Sequence, residues 1–215
     1  MKIAIIGAGN VGQALGAGWH RAGHAIAYGV RDPSDPKHHE MVVAIGASVS
    51  KVAQAIVDAD IIVLAVHWDA VPGVLAECGD LTGRILIDVT NPLAFTPEGM
   101  QLAFGFDTSA GEQVAALAKG ALVVKTLNQV GAAVMANAHR PTPAPVMFVA
   151  SDHESAKATV TSLVRDLGFD ALDGGPLKTA RLLEPFGMLW IDQVYGRGAA
   201  QDSAFAFIGS PVSAA

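Results

Sequence analysis

Lys2-Ile3-Ala4-Ile5-Ile6-Gly7-Ala8-Gly9-Asn10-Val11-Gly12 decides how this chain folds. A short apolar run ends in Gly-x-Gly-x-x-Gly, and residues 10–22 then read as a helix closed by Gly23. A lone glycine triplet is weak evidence. Set between a strand and a helix at the start of a βαβ unit, it marks a turn shaped for a dinucleotide. The three glycines differ in role. Gly7 permits the tight turn, Gly9 lets the backbone approach a pyrophosphate, and Gly12 allows close helix–strand packing. The N–H groups of the turn, those of Asn10 and Val11 included, then hold the anion together with the helix dipole.

Outward from this turn, short apolar runs alternate with amphipathic stretches, which is the pattern of a parallel sheet covered by helices. Strands are expected at residues 2–6, 24–29, 47–49, 60–66, 84–89, 121–127, 146–150 and 169–172. Helices are expected at residues 51–59, 69–78, 112–119, 129–138, 152–167 (capped by Asp152) and 177–195. Residues 90–109, rich in Gly, Pro and Phe, read as a long loop, which in a compact domain is usually functional. The expected fold is α/β: a Rossmann-type doubly wound, mostly parallel sheet with a small C-terminal α/β extension. Residues 1–140 form the nucleotide domain, and 141–215, opened by the Pro-rich link 141–145, complete the acceptor side.

Composition narrows the function. Half the chain is apolar (51%) and only 16% is charged, which suits strands buried on both faces. A net charge of −6 with no Lys/Arg cluster argues against nucleic acid and anionic membranes as partners. No apolar stretch is long enough to span a bilayer and the N-terminus lacks a cleavage site, so a cytoplasmic protein is expected. Cys78 stands alone and the seven histidines lack ligand spacing, so no disulfide framework and no metal site are expected.

Cofactor choice is set at the end of the second strand, where NAD sites carry an acid that bonds the ribose. Here the residues are Gly29-Val30-Arg31. An arginine in place of the acid removes a repulsion and supplies a guanidinium for a 2′-phosphate, so NADP is favoured. Asp32 and Asp35 are competing partners for Arg31. Ligands of open α/β sheets lie beyond the carboxyl ends of the strands. Ala65, Val66 and His67 mark one such end, with Asn91 and Pro92 on another; these join the cofactor site. Asp88 reads as a satisfied strand-end carboxylate, and Lys125 lies on a strand.

These motifs, with Thr90-Asn91-Pro92-Leu93, the run from Val123 through Lys125, Asn128 and Gln129 to Gly131, and Asp173-Gly174-Gly175-Pro176-Leu177, resemble the coenzyme F420 (deazaflavin)-dependent NADP oxidoreductases. The resemblance covers nearly the whole chain. It implies hydride transfer between NADPH and a deazaflavin ring, or a flavin as in the related domains of ferric reductases. Departures from the family pattern are Val30 for Ser, Asp35 where a basic residue is usual, and His67 for Pro. The acceptor pocket is assigned to Asn128, Gln129, Val130, Pro176 and Leu177.

Hydride transfer between stacked rings depends on proximity and orientation, so no obligatory catalytic side chain is expected. A hydroxyacid dehydrogenase or imine reductase would need a larger helical substrate domain. A non-catalytic NADP-binding redox sensor is the alternative; a nicotinamide end sealed by the chain would favour it, an open acceptor cleft the enzyme. The final helix, with Leu182, Leu183, Phe186, Met188, Leu189, Trp190 and Ile191, is more apolar than one face requires, so a homodimer is expected.

Overall fold

The computed structural model describes residues 1–97, 99–139 and 143–209. The first half is built from β1 (Lys2–Ile6), α1 (Asn10–Arg21), β2 (Ala25–Gly29), α2 (His39–Ile45), β3 (Ser48–Ser50), α3 (Val52–Ala55), β4 (Ile61–Leu64), α4 (Val71–Cys78) and β5 (Ile85–Asp88). A hairpin, β6 (Leu93–Thr96) and β7 (Gly99–Leu102), follows, then α5 (Ala110–Leu117), β8 (Leu122–Lys125) and α6 (Ala132–Ala136). The chain closes with β9 (Val146–Ala150), α7 (Glu154–Asp166), β10 (Asp170–Gly175) and α8 (Ala180–Ile191).

Eight strands form one sheet in the order β10-β9-β8-β5-β4-β1-β2-β3. The six strands from β3 to β8 run parallel, as their registers show (Ile3 opposite both Ile26 and Ile61). β9 meets β8 antiparallel through Lys125 and Ala150, and β10 runs parallel to β9. This is a Rossmann-type fold. The expected boundary at residues 140/141 and the start of the Pro-rich link lie outside the described residues.

Strand side chains alternate between two cores, because successive residues point to opposite faces. Ile3 and Ile5 join Leu15, Trp19, Tyr28 and Val63 on one face; Ala4 and Ile6 join Ile62, Leu64, Leu86 and Val123 on the other. On the first face the Trp19 indole donates to the Leu163 carbonyl at 2.9 Å, locking α1 to α7.

The structure revises several elements. Residues 90–109 hold the β6–β7 hairpin rather than an unstructured loop. Asp152 does not cap α7; its Oδ1 accepts from the Leu177 N–H at 2.9 Å, and His153 occupies the cap position without a side-chain bond. The expected long final helix is a 3-10 turn at Leu177–Thr179, then α8 with Pro185 inside it, then a π-helical turn at Asp192–Gly196.

A buried charge network joins the second half to the first. The fully buried Lys125 ammonium donates to Asp88 Oδ2 at 2.9 Å and to the Thr90 carbonyl at 2.6 Å, and pairs with Glu184 Oε1 at 3.0 Å. Asp88 Oδ1 accepts from Thr90 N–H and hydroxyl; Glu184 accepts from the Ala110 and Gly111 N–H groups opening α5. Burial opposes the charged lysine, yet Asp88 and Glu184 outweigh it and hold its pKa above the ordinary lysine value. Lys125→Met leaves two buried carboxylates without their cation, a loss of about 3–5 kcal/mol. A large drop in the urea midpoint is expected; an unchanged midpoint would show the cation to be dispensable.

Burial also pushes the Tyr28 phenol up to about 12. Lys125 and Tyr28 therefore both bind their protons more tightly folded than unfolded. Their contribution to stability is complete below about pH 10 and is lost as pH rises through the folded values. Urea titrations across the alkaline range should show this decline, less steep in Tyr28→Phe.

Candidate functional site

The carboxyl ends of β1, β2, β4, β5 and β8 open into one cleft of about 1220 Å³. The glycine turn forms its floor. Gly7 has φ +103°, and a Cβ there would lie 2.3 Å from the Ala65 carbonyl oxygen. Gly12 is buried beneath the turn, where a Cβ would sit 2.0 Å from the Gly7 oxygen. Around Gly9, by contrast, a Cβ would meet nothing within 4 Å. That open approach fits a pyrophosphate, which needs bare backbone N–H groups at a helix start. The Gln13 side chain clamps the turn by donating to the Ala8 carbonyl at 2.8 Å. Gly16, not singled out from sequence, is as constrained: a Cβ would meet the Tyr28 hydroxyl at 1.9 Å.

At the β2 end, Arg31 lines the cleft and is exposed. Its two sequence rivals are engaged elsewhere. Asp32 accepts from the Ser34 hydroxyl (2.6 Å) and N–H (3.0 Å), which hold its carboxyl below the usual range. Asp35 pairs with Lys37 Nζ at 2.6 Å and is lowered by it. Among the described residues no hydrogen bond or ion pair holds the Arg31 guanidinium, while Lys51 Nζ donates to the Arg31 carbonyl. His38, buried in the same wall, has an Nδ1 without a partner. A free guanidinium at this position fits a ribose phosphate.

Ala65, Val66 and His67 line the middle of the cleft, His67 exposed and Trp68 set edge-on to Phe104 at 5.4 Å. Beyond them stand Asn91, Leu127, Asn128 and Val130. The two asparagines hold each other: Asn91 Nδ2 donates to the Asn128 carbonyl (2.8 Å) and Asn128 Nδ2 to Asn91 Oδ1 (3.0 Å) and the Leu183 carbonyl (3.0 Å). Leu127, buried, has φ +58°, a backbone state that costs a non-glycine about 1–3 kcal/mol and is kept only where surroundings impose it.

Besides Gly12, four residues assigned from sequence stand outside the cleft wall. Gln129 is buried and exchanges two bonds with the Phe148 backbone, Nε2 to its carbonyl and Oε1 from its N–H, both 3.0 Å. Pro92 is buried and its carbonyl anchors the hairpin through Ala103 N–H at 2.7 Å. Pro176 is exposed, and Leu177 belongs to the core of the opposite sheet face. Conversely, Leu93, Phe95 and Met100 of the hairpin and Trp190, Ile191 and Tyr195 of the chain's end line the cleft. A signal for the latter was present in the glycines. A Cβ on Gly131 would lie 2.3 Å from the Trp190 ring, and one on Gly187 2.5 Å from the Asn128 oxygen.

Cys78 is buried, and burial pushes its thiol up to about 11, so it carries no thiolate at neutral pH. Among the described residues no cluster suits a metal ion, and no helix is long and apolar enough to cross a membrane.

The fold is of the dinucleotide-binding type, and its cleft runs across the strand ends from Arg31 toward Asn128. Comparison with known proteins agrees. The family model for NADP oxidoreductase, coenzyme F420-dependent, matches residues 2–92. A crystal structure from Arthrobacter sp. FB24, described as an F420-dependent NADP reductase, is 30% identical with a TM-score of 0.85, over 94% of this chain and 96% of that one. The F420-dependent NADP reductase of Methanothermobacter thermautotrophicus is 28% identical over 206 residues, 89% of this chain and 88% of that protein. Metalloreductase STEAP3 of Rattus norvegicus is 28% identical over 183 residues, 85% of this chain, which spans 36% of that protein's length. The chain belongs to the coenzyme F420-dependent NADP oxidoreductase family.

Gly9→Ala should leave the thermal midpoint unchanged but weaken NADPH affinity about tenfold or more, because its methyl enters only ligand space. Gly7→Ala should lower the midpoint as well. Equal NADPH affinity in Gly9→Ala and the parent chain would place the pyrophosphate elsewhere.

Proposed function

We propose that the chain passes a hydride between NADPH and a flat ring acceptor, coenzyme F420 or a flavin. One observation carries this reading: among the described residues, the cleft extends past the strand ends where the nicotinamide would lie. It continues between the β5 and β8 exits into a wall of Leu93, Met100, Trp190 and Ile191. A sensor needs no such space.

In this reading Gly7, Gly9, Asn10, Val11 and Gly12 hold the pyrophosphate and Arg31 holds the 2′-phosphate. Ala65, Val66, His67 and Asn91 border the nicotinamide, and Asn128 and Val130 the acceptor. NADPH, when bound, supplies the hydride. The chain's own contribution is to orient two rings and exclude water, which the mutually bonded Asn91–Asn128 pair and the buried Trp190 serve by stiffening the wall. No general acid or base is required.

Further parts of the reading concern assembly. Residues 141–215 act as the extension that completes the acceptor side, since α8 and the turn after it bring Trp190 and Tyr195 to the cleft. The chain works in the cytoplasm as a homodimer, for which the exposed Leu182 and Leu189 of α8 provide apolar surface.

The decisive experiment follows NADPH oxidation by absorbance with coenzyme F420, FMN or FAD as acceptor, beside NADH. Turnover with any of them is expected; tight NADPH binding with no turnover would favour the sensor. Arg31→Ala should raise KM for NADPH about tenfold with little change in kcat, and leave KM for NADH unchanged. Equal effects on both nucleotides would remove Arg31 from the 2′-phosphate.

A further inference from the structure

Charge along the cleft is segregated. Its lysine and arginine side chains, Lys37 and Arg31, both come from the loop after β2, with Asp32 and His38 beside them, and His67 follows β4. Its other acids, Asp69 and Glu77, come from the segment after β4. From the β5 exit onward every described residue lining the cleft is uncharged. Three ionic groups close in sequence to this far end are held by partners. Arg181 forks onto Glu112 with two 2.8 Å bonds, Arg197 holds Asp192 at 2.7 Å, and Lys125 is fully buried against Asp88 and Glu184. What remains is an apolar wall, with the buried Trp190 set edge-on to Tyr195 at 6.2 Å and with the thioethers of Met100 and Met135. Polarizable sulfur and aromatic faces suit a planar ring.

We infer that the acceptor is recognised through its ring alone, and that an anionic tail on it adds nothing to binding. The inference rests on the hydride-transfer reading and deepens it by naming the substrate class: a planar isoalloxazine or deazaflavin ring, with or without phosphate. A phosphate or carboxylate tail folded into the far end of the cleft would find no cation among the described residues there. Turned toward the middle, it would meet Asp69 and Glu77, with His67 the one basic side chain beside them. The unpaired Arg31 guanidinium lies at the opposite end, where the cofactor's own 2′-phosphate is expected. The chain's net charge of −6 opposes a polyanionic ligand further. A neutral ring loses none of these interactions, because it makes none.

The test is a set of matched acceptors that share a ring and differ in the tail: riboflavin against FMN and FAD, and coenzyme F420 against its deazaflavin core lacking phosphate and glutamates. NADPH oxidation is measured with each at low and at raised ionic strength. The tailless member of each pair is expected to match or exceed its partner in kcat/KM, within about threefold at raised salt, where residual repulsion is screened. A tailed acceptor favoured about tenfold or more at low salt, with the advantage lost at high salt, would reveal a cationic tail site and overturn the inference. Absence of turnover with every acceptor, while NADPH still binds, overturns the hydride-transfer reading and this inference with it. That result yields no ratio at all and is thereby distinct from an inverted one.

Discussion

The buried Lys125 ammonium is the interaction on which the arrangement of this molecule depends. Lysine offers three N–H donors, and all three are used: Asp88 from β5, the Thr90 carbonyl just past it, and Glu184 from α8. Glu184 in turn takes the first N–H groups of α5, where the helix dipole favours a carboxylate. One cation thus joins two strand ends, a helix start and the terminal helix at the rim of the cleft. Such a group is costly to bury and tolerable only when every partner is in place, which makes the geometry all-or-none.

What that fixed point supports is the wall of the site. With α8 held by Glu184, Gly187 and Gly131 allow the helix to lie against the exit of β8, and Trp190 then faces the cleft. The same exit carries the left-handed Leu127 and the interlocked Asn91 and Asn128. Strained backbone and reciprocal amide bonds at one place make a stiff surface. Such stiffness would serve the proposed hydride transfer, whose rate would rest on how two rings are held.

Much of the fold was legible in the sequence because its signals are local. Ile3 to Ile6 are apolar without interruption since both faces of a central parallel strand are covered, and the Gly7–Gly12 turn follows from the steric needs of a strand feeding a helix. The hairpin Leu93–Leu102 was not legible: its strands are four residues each and lie off the main sheet, with no fully buried residue in either, so their alternation is too short and too shallow to stand out. Asp152 read as a helix cap because the local sequence permits it, yet the carboxylate went to Leu177, twenty-five residues away. Arg31 was legible as a candidate, but whether it was free depended on where Asp32 and Asp35 pointed.

By itself, then, the sequence determined the sheet, the glycine turn, the basic residue after β2 and the family. These follow from period, from backbone sterics and from the chemistry of a few adjacent residues. Tertiary structure alone decided which residues share the cleft: it brought Trp190 and Tyr195 beside Asn128, sent Leu177 to the opposite core and buried Gln129 against β9. The physical reason is that these placements are set by long-range pairings, above all Lys125 with Glu184 across fifty-nine residues, and such pairings leave no periodic trace in the chain.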